Sequence, residues 1–306
     1  MSKVTSAIQI GPQSGQPLGL IGLGLLGGAL AERALAGGVA VVGFDLDASR
    51  RASCEQSGGQ VAASARDVAQ ACRQILLVLP HDGVTREVLR DIEPVLAPGT
   101  MILDATTGDP RSAELLALSL AERGVVYLDA TISGSSAQAR RGEALLMVGG
   151  PKEAFDQCEE LFNVLATQTI HTGPCGSASK LKLVTNLVLG LNRAALAEGL
   201  VFASTLGLDG SKTLEVLKAS AAYSRIMDTK GDKMLQRDFE PQARLSQHLK
   251  DVRLILEAAA RAGQPLPLSE THRELLELAE RRGLGALDNS AIVRAIESRK
   301  LSDPSP

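Results

Sequence analysis

Residues 18–44 read LGLIGLGLLGGALAERALAGGVAVVGF, and this stretch decides the fold. LGLIG (18–22) is short, apolar and ends on glycine, as a buried strand does. A helix-like segment follows from about Leu25 to Leu35, and VAVVGF (39–44) is apolar again. The result is one strand, helix, strand unit. The rhythm repeats outward in QILLVLP (74–80), GTMILD (99–104) and GVVYLD (124–129), and ALLMVGG (144–150) and Thr167 to His171 offer two more strands. Runs this continuously apolar belong to strands covered on both faces, so the first half predicts a mostly parallel sheet with helices on either side.

After His171 the strand signal stops. Ser177 to about Leu206 contains no proline and closes at Gly207, and segments near 211–220, 245–262 and 268–282 are also helical in pattern. The first of these helices would be about 45 Å long at 1.5 Å per residue, which carries it across a domain or subunit boundary. The expected architecture is α/β: a doubly wound, mostly parallel sheet over 18–175, then an all-α domain over 176–300 entered by a long interdomain helix. A polar leader (1–17) and the tail 301–306 are expected to be disordered. HTGPCG (171–176) supplies the turn at the boundary, with Ser177 or Ser179 as the expected helix cap.

Composition narrows the function classes. The 306 residues are 44% hydrophobic and 22% charged, a globular balance. Aromatics make up only 2%, with no Trp, so the core must be filled by Leu, Val, Ile and Ala. A net charge of −3 supplies no field for nucleic acid or an anionic membrane, and no run reaches the roughly 18 consecutive apolar residues of a membrane span. Cys54, Cys72, Cys158 and Cys175 lack CxxC spacing, and His81, His171, His248 and His272 stand apart in sequence. No metal site, no disulfide framework and no nucleic-acid or membrane partner is therefore expected, and the expected compartment is the cytoplasm. SGS at 133–135 lacks the flanking glycines of a serine-hydrolase elbow.

The first strand runs into Gly22, Leu23, Gly24, Leu25, Leu26, Gly27, a GxGxxG. Gly22 permits the tight turn, Gly24 lets a pyrophosphate approach the backbone, and Gly27 lets the helix pack close to the strand. Asp45 ends the second strand some 20 residues on. A carboxylate there accepts hydrogen bonds from the ribose hydroxyls of NAD and repels the extra phosphate of NADP, so NAD is favoured over NADP. Arg50 and Arg51 are the neighbours that could contact that phosphate instead.

Three segments together resemble the signatures of the β-hydroxyacid dehydrogenases: LGLIGLGLLGGALAERAL (18–35), DATISGSSAQARRGEALLMVGG (129–150) and GSASKLKLVTNLVLG (176–190). That family includes 3-hydroxyisobutyrate dehydrogenase, tartronate semialdehyde reductase and the glyoxylate and succinic semialdehyde reductases, with 6-phosphogluconate dehydrogenase as a longer relative. The similarity extends in order from about Leu18 to Ile296. It implies a Rossmann domain, a helical second domain, and hydride transfer between NAD(P) and a small β-hydroxy acid or its semialdehyde; the long helix is expected to bury its Leu and Val face, including Leu187, Val188 and Leu191, in a homodimer or homotetramer.

The resemblance also implies site residues. Ser133, with the backbone amides of Gly134 and Ser135, would hold the substrate carboxylate. Leu79 and Pro80 match the strand end beside the cofactor, Thr107 the position near the nicotinamide ribose, and Lys250 the lysine set against the cofactor. The family's catalytic pattern places its base at Lys182 and the partner amide at Asn186. Lys180 is the rival, but residues 182 and 186 share a helix face, whereas 180 and 186 are about 240° apart in rotation. Oxidising an alcohol requires a group that takes the hydroxyl proton, and the reverse reaction requires it to give that proton back, which is the role of Lys182. Asn186 cannot titrate and would orient the base or the substrate.

The sequence departs from the family at Thr131 and Ser135, where it has proline and a second glycine, and at Ala178, where it has glycine. These departures keep a non-catalytic cofactor-binding module of the same fold open as an alternative, beside a glyoxylate or succinic semialdehyde reductase using NADPH. Imine reduction commonly accompanies loss of the lysine in such relatives, and Lys182 is retained.

Overall fold

Alternate residues of the central strands face opposite cores, and this two-sided burial is what the apolar runs encode. Leu18 and Leu20 pack with Leu76, Leu103 and Leu128 on one side of the sheet, while Ile21, Ile75, Leu77, Ile102 and Tyr127 pack on the other. The computed structural model describes residues 15–298, so the expectations for the leader up to 14 and for the tail lie outside the described residues. The chain divides into two compact units, the first to Lys182 and the second from Leu183.

The first unit carries an eight-stranded sheet: β1 (Leu18–Ile21), β2 (Val41–Phe44), β3 (Gln60–Val61), β4 (Gln74–Leu77), β5 (Met101–Asp104), β6 (Val126–Ser133), β7 (Leu145–Gly149) and β8 (Gln168–Gly173). Their order is β3-β2-β1-β4-β5-β6-β7-β8. All pairs are parallel except β6 with β7, which is antiparallel with Asp129 opposite Gly149. Helices α1 (Leu25–Ala36), α2 (Ala48–Gln56), α3 (Ala65–Ala71), α4 (Asp82–Ile92), α5 (Pro110–Ala121), α6 (Ser136–Arg140), α7 (Lys152–Gln157) and α8 (Glu159–Leu165) flank it. Gly19 lets α3 press on β1, since a Cβ there would meet Val68 and Cys72.

Helix α9 (Ser177–Thr205) starts in the first unit and continues into the second, which adds α10 (Gly210–Ala219), α11 (Ile226–Gln236), α12 (Leu245–Arg261), α13 (Pro267–Arg281) and α14 (Ile292–Glu297). Its core gathers Leu196, Leu200, Leu214, Met234, Leu249, Ile255, Leu276 and Ile292. Over its most apolar window α9 has a mean hydropathy of 1.4, which with its length suffices for a membrane span and so qualifies the reading from the sequence.

The start of α9 also differs from expectation. Neither Ser177 nor Ser179 caps it through its side chain. The buried Asp129 carboxylate does, accepting from the Gly176 amide at 2.9 Å and the Ser179 amide at 2.8 Å. A negative group at a helix N-terminus satisfies orphan amides and complements the helix dipole. Burial pushes the Asp129 carboxyl above its ordinary value, and these amide bonds oppose the shift.

Candidate active site

The GxGxxG loop has the geometry that a dinucleotide requires. Gly22 adopts φ 98°, and a Cβ there would strike the Val78 carbonyl; a Cβ at Gly27 would strike the carbonyl of Gly22 itself. Over Gly24 the space is open, the nearest atom to an added Cβ being Arg50 Nη1 at 3.8 Å. Close packing at two glycines with free approach at the third is the cradle in which a pyrophosphate meets backbone. Asp45 lies at the tip of β2, nearly buried. Its Oδ2 accepts from the Leu23 amide at 2.8 Å, its Oδ1 accepts from the Asp47 amide at 2.9 Å, and Arg50 Nη1 stands 3.3 Å from Oδ2. Arg51 is tied down through Nη1 to the carbonyl of Asp45 at 2.6 Å. Asp47, the competing turn former, caps α2 by accepting from the Ser49 amide.

Leu79 and Pro80 follow β4, and the Leu79 amide donates to Thr106 Oγ1 at 3.1 Å, which joins the ends of β4 and β5. Thr107 lies one residue further along that loop. Below it, the fully buried Asp104 receives the Thr106 amide at 2.9 Å and the Tyr127 hydroxyl at 2.7 Å. Burial pushes the Asp104 carboxyl up to about 6, against the lowering effect of those two bonds. Sequence reasoning assigned Asp104 no role; only its partners, two and 23 residues away, reveal it.

The end of β6 brings the substrate signature to the start of α9. Lys182 is buried, and its Nζ donates to the Ile132 carbonyl at 2.6 Å, one residue before Ser133. Lys180 is exposed and pairs instead with Glu114 at 2.7 Å, so the two lysines take different surroundings, as their helical rotation requires. Thr131 and Ala178, two of the departures from the family pattern, meet: the Thr131 hydroxyl donates to the Ala178 carbonyl at 3.3 Å, both residues being fully buried. Ser133 and Gly134 connect β6 to α6. The Ser135 amide, expected to face the substrate, is engaged within the chain and donates to Gln138 Oε1 at 2.9 Å.

In the second unit, Asn186 is buried and its Nδ2 donates to Asp251 Oδ2 at 2.9 Å. Lys250 Nζ stands 2.9 Å from Asp251 Oδ1, close enough for an ion pair but not aligned as a hydrogen bond. Asp251 was visible in the sequence only as the neighbour of Lys250. The histidines of this unit, isolated in sequence, are not isolated in space: the buried rings of His248 and His272 lie 5.2 Å apart, with Gly190 of α9 packed against both. Burial, and then the positive charge of Arg193, hold His272 down at about 4, so it is a neutral packing residue near pH 7. Tyr223 hydrogen-bonds Asp228 at 2.5 Å on the surface. A cavity of about 360 Å³ lined by Arg282, Leu284, Arg294, Glu297 and Ser298 contains none of the candidate residues.

The glycine turn after β1 and the buried Lys182 of α9, bonded to β6, fit a nicotinamide-dependent oxidoreductase, and comparison with known proteins gives the same class. Residues 17–173 match the family model described as the NAD-binding domain of 6-phosphogluconate dehydrogenase. Residues 176–296 match the one described as the NAD-binding domain of NADP-dependent 3-hydroxyisobutyrate dehydrogenase. The chain is 32% identical to 2-(hydroxymethyl)glutarate dehydrogenase of Eubacterium barkeri, over 92% of this chain and 94% of that protein. It is 31% identical to 2-hydroxy-3-oxopropionate reductase of Escherichia coli, over 92% and 97%. The crystal structure of 3-hydroxyisobutyrate dehydrogenase from Salmonella typhimurium superposes with a TM-score of 0.85 at 26% identity, covering 91% of this chain and 99% of that one. The chain belongs to the β-hydroxyacid dehydrogenase family and is an NAD(P)-dependent oxidoreductase.

Proposed function

We propose that this protein interconverts a small β-hydroxy acid and its semialdehyde, with Lys182 as general acid and base, Asn186 as its orienting partner and Ser133 at the substrate carboxylate. The observation that carries this reading is the hydrogen bond from Lys182 Nζ to the Ile132 carbonyl, which fixes the base beside the residue expected to hold the substrate. When bound, the nicotinamide supplies the hydride acceptor or donor. Lys182 takes the hydroxyl proton in oxidation and returns it to the carbonyl oxygen in reduction. Gly22, Leu23, Gly24, Leu25, Leu26 and Gly27 would hold the pyrophosphate, with Leu79, Pro80, Thr107 and Lys250 along the rest of the cofactor. NAD is favoured over NADP: a carboxylate at the end of β2, bonded to the Leu23 amide, supports recognition of ribose hydroxyls and would repel a 2′-phosphate.

The test is a screen of NADH formation and consumption over 3-hydroxyisobutyrate, glycerate, serine, threonate, glyoxylate and succinic semialdehyde, followed by Lys182→Ala. The substitution should lower kcat at least about a hundredfold, on the scale of general acid-base catalysis, with NADH binding retained. Unchanged turnover would remove Lys182 from the mechanism. A flat screen with NADH bound would favour the non-catalytic module.

We further propose that the protein assembles as a homodimer or homotetramer through α9, where Leu181, Val184, Val188 and Phe202 are exposed and Leu187 and Leu191 half-buried. Residues 181, 184, 188, 191 and 195 fall on one stripe at three- and four-residue spacing, and 202 rejoins it seven residues on, as an associating helix requires. Sedimentation velocity should find an oligomer at micromolar concentration and a smaller species for Val188→Asp. A monomeric native protein would contradict the proposal.

A further inference from the structure

Strand β6 holds the start of α9 through alternate residues of one face. Asp129 and Thr131 stand two apart on the strand, so their buried side chains point the same way. Asp129 accepts from the Gly176 and Ser179 amides at 2.9 and 2.8 Å, and the Thr131 hydroxyl donates to the Ala178 carbonyl at 3.3 Å. In an α-helix that carbonyl also accepts from the amide four residues on, and here the amide is that of Lys182 itself. The Ile132 carbonyl of the same strand receives Lys182 Nζ at 2.6 Å. Both the backbone and the side chain of Lys182 are thus referred to β6, within the first unit. Gly149, opposite Asp129 on β7, leaves room for the carboxylate: a Cβ there would strike Asp129 Oδ1, the Pro174 carbonyl and Ser177 Oγ.

We propose that Asp129 and Thr131 are positioning residues for the base, fixing the rotation and height of α9 at which Lys182 reaches the Ile132 carbonyl. The inference rests on the reading of Lys182 as general acid and base. A helix is ordinarily capped by the residue just before its first turn. Helix α9 is instead held by a strand 47 residues away, so the bonds set where the helix sits as well as satisfying its amides. Such placement matters to a base, because a shift of about 1 Å in reacting groups can cost about a hundredfold in rate.

The test compares Asp129→Asn, Thr131→Val and Thr131→Ser on a substrate found in the screen, each rate corrected for folded fraction by thermal melting. Asparagine cannot accept from both amides, and kcat should fall at least about tenfold. Thr131→Val removes one neutral hydrogen bond while the Ala178 carbonyl keeps its helical partner; kcat should fall about fivefold, and Thr131→Ser should restore it to within twofold. NADH affinity, followed by fluorescence, should not change. In a Lys182→Ala background Asp129→Asn should add less than about a twofold loss, because its effect acts through the lysine. A purely structural role gives another pattern: lower Tm with kcat per folded molecule within twofold of the native value, or losses that multiply with Lys182→Ala. Either result overturns the proposal. If Lys182→Ala itself leaves turnover unchanged, the reading of the base fails and this inference with it; if Lys182→Ala abolishes turnover while Asp129→Asn and Thr131→Val keep native kcat, this inference alone fails.

Discussion

Asp251 offers the sharpest test of the second unit's contribution. Its Oδ2 accepts the Asn186 amide at 2.9 Å within a buried site, and because a carboxylate only accepts, the bond turns Nδ2 toward α12 and Oδ1 away from it. If Asn186 orients the base or the substrate, Asp251 is the positioning residue behind it. Hydrogen bonds to charged groups contribute about 1.5–3 kcal/mol, so Asp251→Ala should reduce kcat/KM about 10- to 150-fold. Asp251→Asn keeps a neutral acceptor and should cost only a fraction of that, about 5- to 10-fold. The assay is steady-state hydride transfer on a substrate found in the screen, with thermal melting to correct for folded fraction. The decisive measurement is the double mutant with Asn186→Ala. An effect relayed through Asn186 makes the pair no worse than Asn186→Ala alone, because contacting residues are not additive. Losses that multiply, or an Asp251→Ala enzyme within twofold of the native one, would refute the relay.

Two further outcomes follow from charges placed by the fold. Asp45→Ser removes the carboxylate at the ribose position and frees Arg50 from its 3.3 Å partner; kcat/KM with NADP should rise at least about tenfold, and no gain would sink the assigned role. Acid should act oppositely on the two units. His272 is held at about 4 against an ordinary 6.5, so the unfolded chain takes up its proton first. Its stabilising contribution is complete above pH 6.5 and falls by about 3 kcal/mol as the pH drops toward 4. Asp104 is raised from 3.8 to about 6, so its contribution is complete below 3.8 and is lost, by a similar amount, as the pH rises through 6. Hydrogen exchange, corrected for intrinsic rates, should show amides of α13 losing protection between pH 7 and 4.5 while those of β5 gain it. His272→Leu should abolish the loss in α13 alone.

The parts of the fold that were legible are those whose residues carry their own environment. β1, β4 and β5 are apolar at every central position because both faces are covered, and no tertiary knowledge is needed to see that. β3 escaped because it is two residues long with Gln60 exposed, held only by pairing to β2. The antiparallel turn of β7 was invisible for another reason: LLMVG is buried like its parallel neighbours, so its direction leaves no mark on composition. α11 was missed because MDTKGDK is polar and contains Gly231. That glycine is explained only by the packed Leu214, whose methyls would lie 2.7 Å from a Cβ. Lys182 and Asn186 could be paired from spacing because they share one helix. Asp129 with the start of α9, and Asn186 with Asp251, join residues 47 to 65 positions apart, and sequence shows such groups without their partners.

The departures from the family pattern bear most on whether the site is intact. A decaying site loses groups without compensation, leaving buried polar atoms unpaired. At the substituted positions the polar groups are paired. Thr131 and Ala178, 47 residues apart, satisfy each other through one buried hydrogen bond, which joins β6 to the first turn of α9 just upstream of Lys182. Ser135, the third departure, is engaged by Gln138. Each change is absorbed by a specific partner in the first unit, while Asp129 still anchors α9 and Lys182 still reaches the Ile132 carbonyl. A buried lysine is costly to maintain, and a protein that had ceased to use it would gain stability by losing it. Retaining Lys182 at 9% exposure, with its surroundings re-fitted, therefore weighs against the non-catalytic module.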